Sequence, residues 1–243
     1  MALSDEFEKA GNWLFRWRSY IPLIIIAMFL IALWEFSDPN HSLRVEEAIC
    51  FFVSFLGLGV RIFTVGHTPK GTSGRNTKKQ VAETLNTDGI YSVVRNPLYL
   101  GNFLMGLGIA LYVSWWWPTL LYILIFWLYY ERIIFAEEVF LKQKFGQQYL
   151  DWAGKTPAFI PKLTEYQQAN LPFSLKNALK REYNGFFAVV VVMFSLEIIG
   201  DNYHQGQFDG DPVWIPLMLI SFVLWAALRF LKKHTNMLDV GGR

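Results

Sequence analysis

An all-α, polytopic membrane bundle of about six spans is the fold class this sequence predicts, and three observations carry it. Of its 243 residues, 53% are hydrophobic and 17% aromatic. Only 17% are charged, against about a quarter in an average globular domain. Apolar segments long enough to cross a bilayer recur along the chain, since a span needs roughly 20 mostly apolar residues and at least about 17. Lys and Arg collect on alternate connections, which is the charge pattern of a membrane protein with a fixed orientation.

Residues 1–18 mix Asp5, Glu6, Glu8, Lys9, Arg16 and Arg18 with Trp13 and Trp17, and read as an interfacial N-terminal segment. The acidic residues come first, and no small-residue cleavage site follows 21–33, so a cleaved leader is not expected. Ser19–Trp34 is uncharged and flanked by aromatics, giving the first span. Ala48–Val65 is the second, apolar except for Arg61 near its end. Asn96–Tyr130 carries no charge. As one helix it would run to roughly 50 Å, well beyond a hydrocarbon core of about 30 Å. It is expected to break at Trp115-Trp116-Trp117-Pro118, because Pro ends or starts a helix and Trp favours the interface. Asn184–Gly200 and Pro212–Leu231 are the fifth and sixth spans. Between them and Pro161, residues 162–182 read as a polar linker with a surface helix.

Segment 66–95 holds Lys70, Arg75, Lys78, Lys79 and Arg95 against Glu83 and Asp88, and segment 136–183 holds seven basic residues. Segment 200–211 carries Asp201, Asp209 and Asp211 with no Lys or Arg. The basic connections and both termini are therefore expected in the cytoplasm. A net charge of +2 gives no reason to expect nucleic acid as a partner. Cys50 is the sole cysteine and the four histidines are scattered, so no metal site is expected.

Two short motifs fall on the expected cytoplasmic side. Arg95-Asn96-Pro97-Leu98-Tyr99-Leu100-Gly101 opens the apolar hairpin, preceded by Gly89-Ile90-Tyr91. Glu137-Glu138 closes it, followed by Phe145-Gly146-Gln147-Gln148-Tyr149 and Pro157-Ala158-Phe159-Ile160-Pro161. Taken singly, Arg95 fits an ordinary positive-inside anchor, Pro97 a first-turn proline, and Glu138 a surface partner of Lys142 one helical turn on. Together, over about Gly89–Pro161, they resemble the isoprenylcysteine carboxyl methyltransferase and phospholipid methyltransferase families of integral membrane enzymes. That resemblance implies S-adenosylmethionine as cofactor and a methyltransferase core over 19–161, with 162–243 as a linker plus two C-terminal spans.

Arg95, Pro97, Tyr99 and Gly101 match the family's Arg-His-Pro-x-Tyr-x-Gly element, with Asn96 in place of His. Gly89 and Tyr91 match its Gly-x-Tyr, and Glu137 and Glu138 its paired glutamates. The resemblance thus implies a cofactor site of Gly89, Tyr91, Arg95, Asn96, Pro97, Tyr99, Gly101, Glu137 and Glu138, with Arg95 and Glu138 the catalytic pair. The chemistry of these residues agrees: a cation suits the cofactor's carboxylate, an acid its amine, and an aromatic wall its rings. Charged groups at a membrane boundary are costly unless they have a use. Gly106 and Gly108 read as packing positions.

The Thr64–Lys79 loop is rich in Gly, Thr and Ser with four cations, and Lys70, Arg75, Lys78 and Lys79 are candidates for binding the acceptor's phosphate. The other reading of this loop is contact with anionic headgroups. It resembles a bacterial branch proposed to methylate a lipid A phosphate, which implies a bacterial inner membrane. The expected function is thus methylation of a membrane lipid headgroup at an anionic oxygen. The alternatives within the family are a phosphatidylethanolamine amine or a prenylcysteine carboxylate. An NADPH-dependent sterol-type reductase and a non-enzymatic transporter or scaffold are the readings from other classes. Pro97 and Gly101-Asn102 favour the methyltransferase form over the reductase one.

Overall fold

The computed structural model describes residues 2–18, 20, 24, 27–28, 31, 44–69, 71–72, 80–112, 116–205 and 213–243, of which 44–47 and 200–205 are described by backbone alone. Seven helices lie in these residues: α1 (Leu3–Trp17), α2 (Arg44–His67), α3 (Pro97–Tyr112), α4 (Trp116–Phe145), α5 (Gln147–Ala153), α6 (Leu175–Gln205) and α7 (Trp214–His234). Four stretches are long and apolar enough to cross a membrane: Ala48–His67, Trp116–Phe145, Leu175–Ile199 and Trp214–His234. Helix α3 is a shorter apolar helix, roughly 24 Å long at 1.5 Å per residue. The expected first span, Ser19–Trp34, lies almost wholly outside the described residues, as do Lys70, Arg75, Lys78 and Lys79.

The hairpin breaks where Pro118 dictates. Helix α4 starts at Trp116, so Pro118 stands in its first turn, where a missing N–H removes no helical bond. Pro97 likewise opens α3. The two arms are tied by Tyr122 Oη donating to Phe103 O at 2.9 Å and Thr119 Oγ1 donating to Ala110 O at 3.2 Å. Helices α2 and α3 approach closely through small residues. A side chain at Gly57 would meet Gly101 O, and one at Gly108 would meet Ser54 and the Cys50 carbonyl. Ser54 Oγ donates to Met105 O at 2.9 Å across the same contact. Gly106 and Gly108 are thus packing positions, as expected.

Two boundaries differ from the sequence reading. Helix α4 does not end near Tyr130 but continues to Phe145, so Glu137 and Glu138 lie inside it. Nothing from Glu131 to Lys144 breaks a helix, and the chain turns only at Gly146, whose φ of 54° suits glycine. The surface helix expected in 162–182 is not a separate element. Residues 166–174 run as an extended strap, with a bridge from Gln167 to Gly89 and Asn170 N donating to Asp88 Oδ2 at 2.8 Å. The helix starting at Leu175 then runs straight into the fifth span as α6.

Helix α1 packs antiparallel along α4. Phe7 meets Phe135 edge to face at 5.9 Å, Tyr129 Oη donates to Leu14 O, and Gly11 clears the Ala136 methyl. The buried core joins Phe15, Tyr99, Phe126, Tyr129, Tyr130 and Ile133 to Val189 and Met193 of α6. Much of α7 is exposed apolar surface, including Leu219, Phe222 and Val223, as expected of a face toward lipid.

Candidate functional site

Both motifs come together at one end of the bundle. The segment after α5 returns alongside the first motif, with Arg95 N donating to Pro157 O at 2.9 Å and Lys162 N donating to Val93 O at 2.9 Å. Asn96 Nδ2 donates to Ala158 O at 3.0 Å. This pins Phe159 over the rings of Phe103 and Trp127, at 5.6 and 5.7 Å. Below the motif, Gly89 adopts φ 55° and ψ −131°, a backbone state glycine tolerates, and starts the tight turn Ile90–Ser92. Trp152 Nε1 of α5 donates to Tyr91 O at 3.0 Å, so α5 is held to that turn.

Glu137 and Glu138 point to different partners, because successive residues on a helix are about 100° apart. Glu138 meets Arg95 at 3.3 Å, with side chains 28% and 19% exposed. Glu137 meets Arg18 of the N-terminal segment at 3.6 Å and lies within reach of the Tyr99 hydroxyl. The Tyr99 ring is buried 4.8 Å from Tyr130, which stacks on Phe126 at 4.1 Å. Tyr149, presented by α5, faces both Glu138 and Arg95. Burial, then the Glu138 charge, pushes its hydroxyl above the ordinary tyrosine range, so it stays protonated. Burial, then Glu137, does the same for Tyr91.

Among the described residues, three buried side-chain atoms have no aligned hydrogen-bond partner: Arg95 Nε, Glu138 Oε1 and Tyr149 Oη. All three belong to this one site. Glu138 Oε1 stands 3.3 Å from Arg95 Nη2 without good alignment, so the three groups face one another with donor and acceptor capacity to spare. Glu138 also stands at the rim of a cavity of about 260 Å³ walled by Phe7, Phe126, Trp127, Tyr130, Phe135 and Phe159. One cation, one carboxylate and one phenol beside an aromatic cavity fit the zwitterionic end and the rings of S-adenosylmethionine.

Of the expected site residues, the structure gathers Tyr91, Arg95, Tyr99, Glu137 and Glu138 into this cluster. Gly89, Asn96 and Pro97 shape the backbone beneath it. Gly101 faces α2 instead, where an added side chain would lie 2.8 Å from Gly57 O and against the Arg61 stem. The sequence reading did not single out Arg18, Tyr130 or Tyr149. Tyr149 stood in the quoted Phe-Gly-Gln-Gln-Tyr run, so its motif was a usable signal. Arg18 had none, being more than a hundred residues from its partner.

The phospholipid methyltransferase family matches residues 67–148, which include every residue of the cluster except Arg18 and Tyr149. Protein-S-isoprenylcysteine O-methyltransferase of Schizosaccharomyces pombe is 36% identical over 85 residues, 35% of this chain and 36% of that protein. Cobalt-zinc-cadmium resistance protein CzcN of Cupriavidus metallidurans is 37% identical over 112 residues, 45% of this chain and 49% of that protein. Nickel-cobalt-cadmium resistance protein NccN of Alcaligenes xylosoxydans xylosoxydans is 31% identical over 159 residues, 64% of this chain and 70% of that protein. The chain spans from about a third to a half of the length of the first of these relatives. No solved structure matches. On the family match over residues 67–148 and the similarity to isoprenylcysteine methyltransferases, the chain belongs to the isoprenylcysteine carboxyl methyltransferase and phospholipid methyltransferase family of membrane proteins.

Proposed function

We propose that this protein is an S-adenosylmethionine-dependent methyltransferase acting on an anionic oxygen of a membrane-borne acceptor, with a lipid phosphate such as that of lipid A as the favoured class. The observation that supports it best is the convergence of Arg95, Glu138 and Tyr149 on one another beside the aromatic cavity. S-adenosylmethionine, when bound, supplies a sulfonium-activated methyl group for an in-line displacement. Arg95 holds a carboxylate and Glu138 an ammonium, while Tyr149 donates from its protonated hydroxyl. Phe126, Tyr130 and Phe159 exclude water from the reacting centre.

The excess of Lys and Arg on the connections that carry the motifs favours an anionic acceptor. An ionised phosphate or carboxylate attacks directly, whereas an ammonium group must first lose a proton. Asn96, which replaces the family's His, does not titrate and is committed to Ala158, so that position supplies no base. The cationic loop over 70–79 supplies charge for the acceptor. The excess of Lys and Arg on alternate connections supports a cytoplasmic position for the site in this proposal. A prenylcysteine carboxylate is the second reading, favoured by the relatives that carry that name.

The test supplies purified protein with methyl-labelled S-adenosylmethionine and either a bacterial lipid extract or a prenylcysteine peptide. Label that stays with a phosphate-bearing lipid fragment supports the proposal. Label released as methanol by mild base identifies a carboxyl ester and the second reading. Label on an amine, or no transfer to any acceptor, overturns the anionic assignment or the activity respectively.

A further inference from the structure

Helices α6 and α7 lie outside the stretch matched by the family, yet α6 reaches into the site through a buried polar relay. Glu182 of α6 is 4% exposed. Its carboxylate takes both prongs of Arg61, from Nε to Oε2 and from Nη2 to Oε1, each at 2.8 Å. Arg61 Nη1 then donates to Asn102 Oδ1 at 2.6 Å, with Leu98 O at 3.4 Å. Asn102 Nδ2 in turn donates to Tyr130 Oη at 3.2 Å. Tyr130 stacks on Phe126, abuts Tyr99 and walls the cavity beside Glu138.

Each step has a directional reason. Guanidinium has donors only, so Arg61 forces the carbonyl side of the Asn102 amide toward itself. The amide nitrogen is thereby left to face Tyr130. A two-pronged carboxylate fixes the guanidinium plane, which a single-point contact does not. Arg61 sits six residues before the end of α2, and Glu182 seven residues past the start of α6. That places the pair roughly 9–11 Å inside the bundle at 1.5 Å per residue, where an idle ion pair is costly. Gly101 completes the arrangement, since it leaves room for the Arg61 stem.

We propose that Glu182 is a positioning residue for the candidate site: by clamping Arg61 it sets, through Asn102, the orientation of Tyr130 in the cavity wall. The C-terminal helices are then a working part of the site. This inference rests on the proposed cofactor site for its consequence, but the relay itself is testable without a ligand.

The experiment places a single 3-fluorotyrosine at position 130 of the full chain in detergent and records its fluorine resonance. The unsubstituted relay should give one narrow line. Glu182→Gln keeps size but removes the two-pronged clamp, and should shift or split that line. Arg61→Lys, which keeps the charge opposite Glu182, should do the same and serves if Glu182→Gln does not fold. Lys233→Gln, exposed near the end of α7 and outside the relay, should leave the line in place. S-adenosylhomocysteine affinity is then measured with Glu182→Gln, Tyr130→Phe and the double variant. Glu182→Gln alone should weaken binding about five- to tenfold, as for one lost hydrogen bond. In the Tyr130→Phe background it should add nothing. A line unmoved by either relay variant, or equal losses of affinity in both backgrounds, overturns the proposal. A shifted line in a protein that binds no S-adenosylhomocysteine leaves the relay standing and overturns the cofactor reading instead.

Discussion

Replacing Glu138 by Gln removes one charge from the site and almost nothing from its shape. Glu138 lies 3.3 Å from Arg95, and its Oε1 has no aligned partner. A charge-assisted hydrogen bond from a ligand ammonium is worth about 1.5–3 kcal/mol. The side chains of Glu138 and Arg95 are 28% and 19% exposed, so solvent screening holds the value near the lower end, about 1.5–2 kcal/mol. Affinity for S-adenosylhomocysteine, which keeps the amino-acid end, should fall roughly ten- to thirtyfold at 1.4 kcal/mol per decade. Titration calorimetry of the purified protein in detergent measures it directly. Arg95 retains partial access to water, so the melting temperature should change little. Glu137→Gln is the matched control. Its carboxylate serves Arg18 and Tyr99, and it should cost less affinity than Glu138→Gln. An affinity for Glu138→Gln within twofold of the parent, with the fold intact, would refute the assignment of Glu138.

Gly101→Val should destabilise the protein by about 1–3 kcal/mol, the usual cost of overpacking, because the new side chain meets Gly57 O and the Arg61 stem. A thermal melt in detergent reads this, and an unchanged melting temperature would mean that α2 and α3 are not held so closely. The tyrosines set an alkaline limit. Tyr91 and Tyr149 are raised above their ordinary value by burial, so their contribution is complete below the unfolded pKa of about 10 and is lost as pH rises from there toward the folded value. Stability should fall above about pH 10 by up to about 1.4 kcal/mol per pH unit for each tyrosine. Tyr91→Phe and Tyr149→Phe should each flatten that fall, as denaturant unfolding across pH 9–12 would show.

The all-helical membrane bundle, the break in the charge-free hairpin and the meeting of the motifs at one end were legible in the sequence. They depend on length, hydropathy, proline and charge, which act locally. A stretch with no charge from Asn96 to Tyr130 has to fold back on itself whatever surrounds it, and Pro118 marks where. The extension of α4 was not legible, because Glu131, Arg132, Glu137 and Glu138 look like the end of a span. Arg132 instead lies over the Phe7 ring of α1, and the two glutamates pair with Arg18 and Arg95.

The tertiary structure alone decided which way each motif residue faces. Neighbouring positions on a helix diverge by about 100°, so Glu137 and Glu138 read alike in sequence yet serve different partners. Gly101 stands within the first motif but turns toward α2. The relay from Glu182 to Tyr130 joins residues as far as 121 positions apart through Arg61. No local pattern encodes such a contact. It forms only because close packing of α2 on α3, permitted by glycine, brings a buried guanidinium within reach of a carboxylate on α6, far along the chain.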